Sequence, residues 1–175
     1  DVLLQQNKAY FEKANAPKHA IDFQLSTINE IYRLIEKDKS NEAIEKKMNK
    51  WFDKELNKLE ESQRKEIQFS SQVVRKQFVG SLTSNWMRLF LKLDPADYLE
   101  KVHQPVFAIN GTNDIQVLYQ YNLPAIEKAL KKAKNNNYKI YTAVGMNHLF
   151  QESTTGMIDE YSTIEQTISP VILSQ

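Results

Sequence analysis

The sequence predicts an α/β fold in two parts. A helical segment covers residues 1–80, and a strand–helix–strand–helix unit built on a parallel sheet covers residues 81–175. Three observations carry this. Apolar residues before position 80 recur at spacings of three and four, the period of a helix buried on one side. Val106 to Ile109 is a continuous apolar run of strand length, joined by one helical stretch to a second strand at Tyr138 to Val144. Only 4 glycines occur, at 80, 111, 145 and 156, where ordinary usage of about 7% would give about 12. Three of them fall in the second half.

Taken in order, Asp1 to Ala14 reads as a helix stopped near Ala16-Pro17, because proline has no N–H to continue the ladder. Residues 19–38 form a clearer amphipathic helix, with Ile21, Leu25, Ile28, Tyr32 and Ile35 on one face. The polar run Asp38-Lys39-Ser40-Asn41 breaks it and can cap the next helix, about Glu42 to Glu61. That helix turns Ile44, Met48, Trp51, Phe52, Leu56 and Leu59 inward. A fourth helix, about Ser62 to Val79, buries Ile67, Val74 and Phe78 and stops at Gly80.

Ser81 to Leu93 begins with small polar residues and becomes apolar on most sides, so it is expected to be buried or to line a pocket. Asp94-Pro95 suits a helix start, as N-cap and first helical residue, for a short helix over PADYLEKV. Both faces of the strand at Val106 to Ile109 are expected to be covered. Leu123 to Lys134 is a helix with Ile126, Ala129 and Leu130 inward and three lysines in its last turn, where positive charge suits the dipole. Asn135-Asn136-Asn137 ends it, and Glu160 to Ile168 is the last helix expected. The crossover between the strands is right-handed and the strands parallel.

Composition excludes some functions. Lys and Arg total 23 against 22 Asp and Glu, and neither half is unbalanced, so nothing favours nucleic acid or an anionic membrane. No cysteine is present, which removes disulfides, thiol nucleophiles and thiolate metal sites. No apolar run approaches the roughly 18 residues of a membrane span, and a mean hydropathy of -0.56 reads as a soluble chain. The compartment is open. The chain begins at Asp1 without a methionine or signal pattern, which reads as a processed or excised piece of something longer.

Chemistry concentrates beyond the carboxyl ends of the two strands, where open parallel sheets carry their reactive groups. Asp114 follows the first strand in PVFAINGTND, and His148 follows the second in VGMNHLFQ. One crossover accounts for the interval between them, so the two side chains can share a hydrogen bond. His19 and His103 read as surface or capping residues. His19 with Asp22 supplies two ligands at most, too few for zinc. Glu60-Glu61 and Asp159-Glu160 read as solvated helix faces, and Lys131, Lys132 and Lys134 as a helix end rather than a phosphate site.

Asp94-Pro95, Leu99 to Val102, Pro105-Val106, Asn110-Gly111, Asp114 with Gln116-Val117, Asn122-Leu123 and Asn147 to Gln151 together resemble the α/β-hydrolase superfamily. So does the tail with Asp159 to Tyr161, Ile164-Glu165 and Thr167 to Pro170. The likeness is to the C-terminal part of its serine esterase and acyl-peptidase-like branch. It covers about residues 81–173, whereas residues 1–80 sit where such hydrolases carry a helical cap. The resemblance implies that Asp114 is the acid and His148 the base of a catalytic triad, whose order along the chain is nucleophile, acid, base. It implies no cofactor and a small-molecule ester or acyl substrate. The chain departs from the family in having no G-x-S-x-G elbow and no oxyanion-hole segment. As it stands it supplies the cap and the last βαβα part of an incomplete sheet, and alone it should not catalyse acyl transfer. Trp86 and Phe90 are expected to pack in the core or cap, or else to line a substrate pocket. The open sheet edge predicts self-association, as a dimer that swaps or extends the sheet. Two other readings stay open: a hydrolase with an aspartate nucleophile, and a non-catalytic helical binding module with a degenerate hydrolase remnant.

Overall fold

A computed structural model describes residues 2–37 and 40–175. Asp1, and the Asp38-Lys39 part of the expected helix break, lie outside the described residues. The chain divides into two compact units. One comprises Asp1–Tyr10 with Asp94–Gln175, and the other is Phe11–Leu93.

The Phe11–Leu93 unit is helical. After α1 (Val2–Lys13), which begins in the other unit, come α2 (Lys18–Lys37), α3 (Asn41–Leu56), α4 (Glu61–Glu66), α5 (Gln72–Leu82) and α6 (Asn85–Lys92). Ser40 caps α3, its hydroxyl accepting the Ala43 N–H at 3.3 Å. The buried face of α2 is Phe23, Thr27, Ile31, Leu34 and Ile35 with Ile28. It is rotated from the expected face, because Ile21, Leu25 and Tyr32 are only half-buried. In α3 the expected Ile44, Met48, Phe52 and Leu56 are buried, but the helix ends at Leu56, short of Leu59.

Phe52 is the hub of this core. It stacks on Phe69 at 4.7 Å between ring centres and meets Trp51 edge-on at 5.6 Å. The Arg75 guanidinium lies 5.2 Å from the Phe52 ring centre, donates to the Phe69 carbonyl and pairs with Asp53 at 2.6 Å. That arrangement corrects the fourth helix. Instead of one helix to Val79, α4 stops at Glu66, and a 3₁₀ turn at Gln68–Ser70 carries Phe69 into the core. Helix α5 then starts afresh and runs through Gly80 to Leu82, so Gly80 is no stop.

Helix α6 also departs from expectation. It buries no residue, and Trp86, Leu89, Phe90 and Leu93 are all exposed, Trp86 to 67%. Of its apolar residues, Leu91 packs against the core of the helical unit, while the others named stay exposed.

The other unit holds α7 (Ala96–Leu99), β1 (Val106–Gly111), α8 (Tyr119–Lys132), β2 (Tyr138–Ala143) and α9 (Pro170–Leu173). The first of these helices is shorter than expected, and Asp94 supports its start by accepting the Ala96 N–H at 2.9 Å. β1 and β2 form a two-stranded parallel sheet, with Val106 opposite Tyr138 and Gly111 opposite Ala143. Leu123, Ala129 and Leu130 are the buried residues of α8. This helix begins earlier than expected and contains Pro124. It ends where Lys134 turns to a φ of 57°, so that lysine lies beyond the last turn. The sheet is not covered on both faces, since Phe107 and Lys139 are exposed. The expected last helix over 160–168 is instead a 3₁₀ segment, Ile158–Thr163, followed by the short α9. The whole is a mixed α/β fold with a small parallel sheet.

Candidate active site

The site is built where β1 and β2 end. Thr112 donates its N–H to the Ala143 carbonyl at 2.9 Å, and Asn113 donates to the Met146 carbonyl at 3.0 Å. In return Gly145 donates its N–H to the Thr112 hydroxyl at 2.8 Å. The two strand-end loops are therefore stitched together. This close approach needs a glycine at 111, because a Cβ there would collide with the Met146 carbonyl.

The acid side is an Asx-type turn. Asp114 Oδ1 accepts the N–H groups of Gln116 at 2.9 Å and Val117 at 2.8 Å. Its Oδ2 accepts the Asn110 amide at 3.0 Å and meets His148 Nδ1 at 2.9 Å. The carboxylate is 5% exposed, so every bond is made out of bulk water. Four donors occupy its four acceptor positions.

The base side is organised by Asn147, which is fully buried. Its Oδ1 accepts the N–H groups of Leu149 and Gln151 at 2.9 and 3.0 Å, while its Nδ2 donates to Gln151 Oε1 at 2.9 Å. Phe150, with a φ of 57°, closes the turn by donating its N–H to the Asn147 carbonyl at 3.0 Å. His148 projects from this held turn with its side chain 38% exposed.

The chemistry follows from the donor count. An ionised carboxylate only accepts, so His148 Nδ1 must carry the proton in this bond, and the neutral ring keeps its lone pair at Nε2. Among the described residues nothing bonds Nε2. A buried anion on one ring nitrogen and a free lone pair on the other suit the ring to take a proton and hold it.

The sequence paired Asp114 and His148, and the structure joins them. Asn110, Asn122 and Asn147 entered there only among the residues of the resemblance, with no role; in the structure they hold the turns that carry the pair. Their signal was local: asparagines bracketing turns, and an aspartate two and three residues before backbone N–H groups. Trp86 and Phe90 belong to the Phe11–Leu93 unit, where their rings stack at 5.2 Å and 8°. His103 is exposed. His19 lies with Nε2 2.9 Å from Glu66 Oε2, and Asp22 pairs with Lys18 instead. No group of three or more potential metal ligands occurs among the described residues. Lys131 and Lys132 pair with Glu127 and Glu100 at 2.8 and 2.6 Å, and each carboxylate raises its lysine's pKa, chiefly by hydrogen bonding.

Glu160 stands on the 3₁₀ segment Ile158–Thr163 rather than on the helix expected, and its carboxylate is engaged. Its carboxylate accepts the Thr155 hydroxyl and the N–H groups of Thr154, Thr155 and Gly156. Those bonds, the hydroxyl first, hold its pKa down at about 2. Gly156 is required in that loop, with a φ of +69° and no room for a Cβ against the Asn113 carbonyl.

No described helix is long and apolar enough to cross a membrane. No family model matches the chain, and no curated protein or solved structure gives a match.

Proposed function

We propose that Asp114 and His148 are the acid and base of a serine hydrolase acting on carboxylic esters or related acyl compounds. The observation that carries this is the 2.9 Å bond between His148 Nδ1 and a fully occupied, buried carboxylate, with Nε2 unbonded among the described residues. The nucleophilic serine and the oxyanion hole come from a segment outside these 175 residues. As the serine oxygen attacks the acyl carbon, His148 Nε2 takes its proton, and Asp114 stabilises the imidazolium without becoming protonated. Nε2 then returns the proton to the leaving alcohol, and water repeats the sequence on the acyl-enzyme. No cofactor enters this scheme. Trp86 and Phe90 are the proposed substrate-binding pair.

Labelling with a serine-directed fluorophosphonate tests the reading on the native full-length product, its His148→Ala variant and the 175-residue chain. The expected result is labelling of the full-length protein, strong slowing in the variant, and none in the short chain. An unlabelled full-length protein rejects the serine mechanism and favours an aspartate nucleophile or a binding module.

A further inference from the structure

We infer that Asn110 is the positioning residue of this site: it fixes the rotation of the Asp114 carboxylate and thereby the tautomer of His148. This rests on the acid–base reading of Asp114 and His148, and assigns a role to a residue outside that pair. Asn110 lies on β1, is 3% exposed, and has both amide hydrogens and its amide oxygen engaged. Its Nδ2 carries two hydrogens. One goes to Asp114 Oδ2 at 3.0 Å and the other to the Val117 carbonyl at 3.1 Å. Its Oδ1 accepts the Asn122 amide of α8 at 2.8 Å. A flipped amide would aim oxygen at the Asp114 carboxylate and the Val117 carbonyl, and NH₂ at the NH₂ of Asn122. The orientation is therefore determined by three partners at once.

The geometry gives this amide a specific task. The two backbone N–H groups on Asp114 Oδ1 make that oxygen a pivot. Oδ2 can swing about the pivot, and among the described residues His148 and Asn110 hold it. Aspartate at position 110 would put a second anion there, and an apolar residue would leave the Val117 carbonyl unpaired. An amide meets both needs, and Asn122 ties it to the first turn of α8. The strand, the acid loop and the helix thus converge on one side chain.

The test is the tautomer of His148, read from its ring nitrogens by long-range ¹H–¹⁵N correlation in the 175-residue chain. The measurement is made at a pH where the spectrum shows the neutral ring. In the wild type the Nδ1–H form should exceed the Nε2–H form by about tenfold or more. Asn110→Leu should reduce that ratio by about tenfold. Asn122→Ala, which frees the Asn110 amide to flip, should lower it in the same direction by a smaller factor. A role in stability alone would lower the urea midpoint and leave the ratio unchanged. If the leucine variant does not fold, Asn122→Ala decides: a reduced ratio supports the assignment, and an unchanged one overturns it. A wild-type ring protonated at Nε2 overturns the acid–base reading together with this one. A wild-type ring protonated at Nδ1 with unchanged variants overturns this one only.

Discussion

His148 and Asp114, 34 positions apart, meet at 2.9 Å because the loops that carry them are bonded to each other before either side chain is placed. The backbone bonds from Thr112 to Ala143 and from Asn113 to Met146 set the approach. The carboxylate then has one side facing its own backbone and the other facing the ring. The first prediction follows from that division. In Asp114→Asn the remaining oxygen stays with the Gln116 and Val117 N–H groups, so the new NH₂ faces the Asn110 amide and His148 Nδ1. Donors confront donors, and the ring is forced to carry its proton on Nε2. The site loses its base, and hydrolysis by the full-length protein should fall roughly 10³–10⁴-fold. Urea unfolding of the variant should show a loss of about 1–3 kcal/mol, the cost of leaving buried polar groups unpaired. Full activity in Asp114→Asn would remove Asp114 from the mechanism.

A second prediction concerns acid. Glu160 ionises at about 2 in the folded protein against an ordinary 4.5, because the Thr155 hydroxyl and three backbone N–H groups bind its anion. A depressed carboxylate pKa favours the folded loop wherever the unfolded chain is also ionised. The contribution is complete above about 4.5, declines as pH falls, and is gone below about 2. Protection of the Thr154, Thr155 and Gly156 amides against exchange, relative to the intrinsic rate at each pH, should therefore fall across that interval. In Glu160→Gln it should be low throughout, and the two proteins should converge at the acid end. Equal, pH-independent protection in both would show that the carboxylate does not hold the loop.

The helical unit makes a prediction about stability. Phe52 is fully buried and contacts the rings of Phe23, Trp51, Phe69 and Phe78. Phe52→Ala leaves a cavity that four aromatic neighbours cannot close without losing their own stacking. Urea denaturation should register a loss of about 3–5 kcal/mol. A loss below about 1 kcal/mol would mean that the core is loose enough to refill the site.

Much of this was legible beforehand, for reasons that differ by element. The α3 face was readable because Ile44, Met48, Phe52 and Leu56 repeat every four residues, and the repeat alone selects the buried side. The α2 face was not, because its apolar residues wrap around the helix. Ile21, Leu25 and Tyr32 compete with Phe23, Ile31 and Leu34, and the aromatic cluster around Phe52 selects the second set. The break before Phe69 was invisible for a similar reason: no glycine or proline marks it, and Arg75 holds it through the Phe69 carbonyl. At the site, strand-end placement was enough to pair Asp114 with His148. The role of Asn110 was harder to see, since it acts partly through Asn122 on another element.

The sheet makes the last prediction. In the β1–β2 register, Val106, Ala108 and Asn110 turn their backbone groups toward β2, as the bond from Val106 N–H to the Asn137 carbonyl shows. Phe107, Ile109 and Gly111 turn theirs to the outer edge, where no strand pairs with them in this two-stranded sheet. The outer edge of β2 is likewise open, but β2 carries Lys139, and charge discourages edge pairing. β1, with the sequence VFAING, has no charge and exposes Phe107. We propose that the 175-residue chain self-associates as a dimer through the β1 edge, two copies extending one sheet across a two-fold axis. Ile109→Pro separates this from other causes. It deletes an N–H that points outward and leaves the ladder to β2 intact, whereas Ala108→Pro would delete one that points inward. Sedimentation equilibrium should find a dimer for the wild type and a monomer for Ile109→Pro, with unchanged far-ultraviolet circular dichroism. A wild-type monomer, or a dimer indifferent to Ile109→Pro, would rule out the β1 edge as the contact.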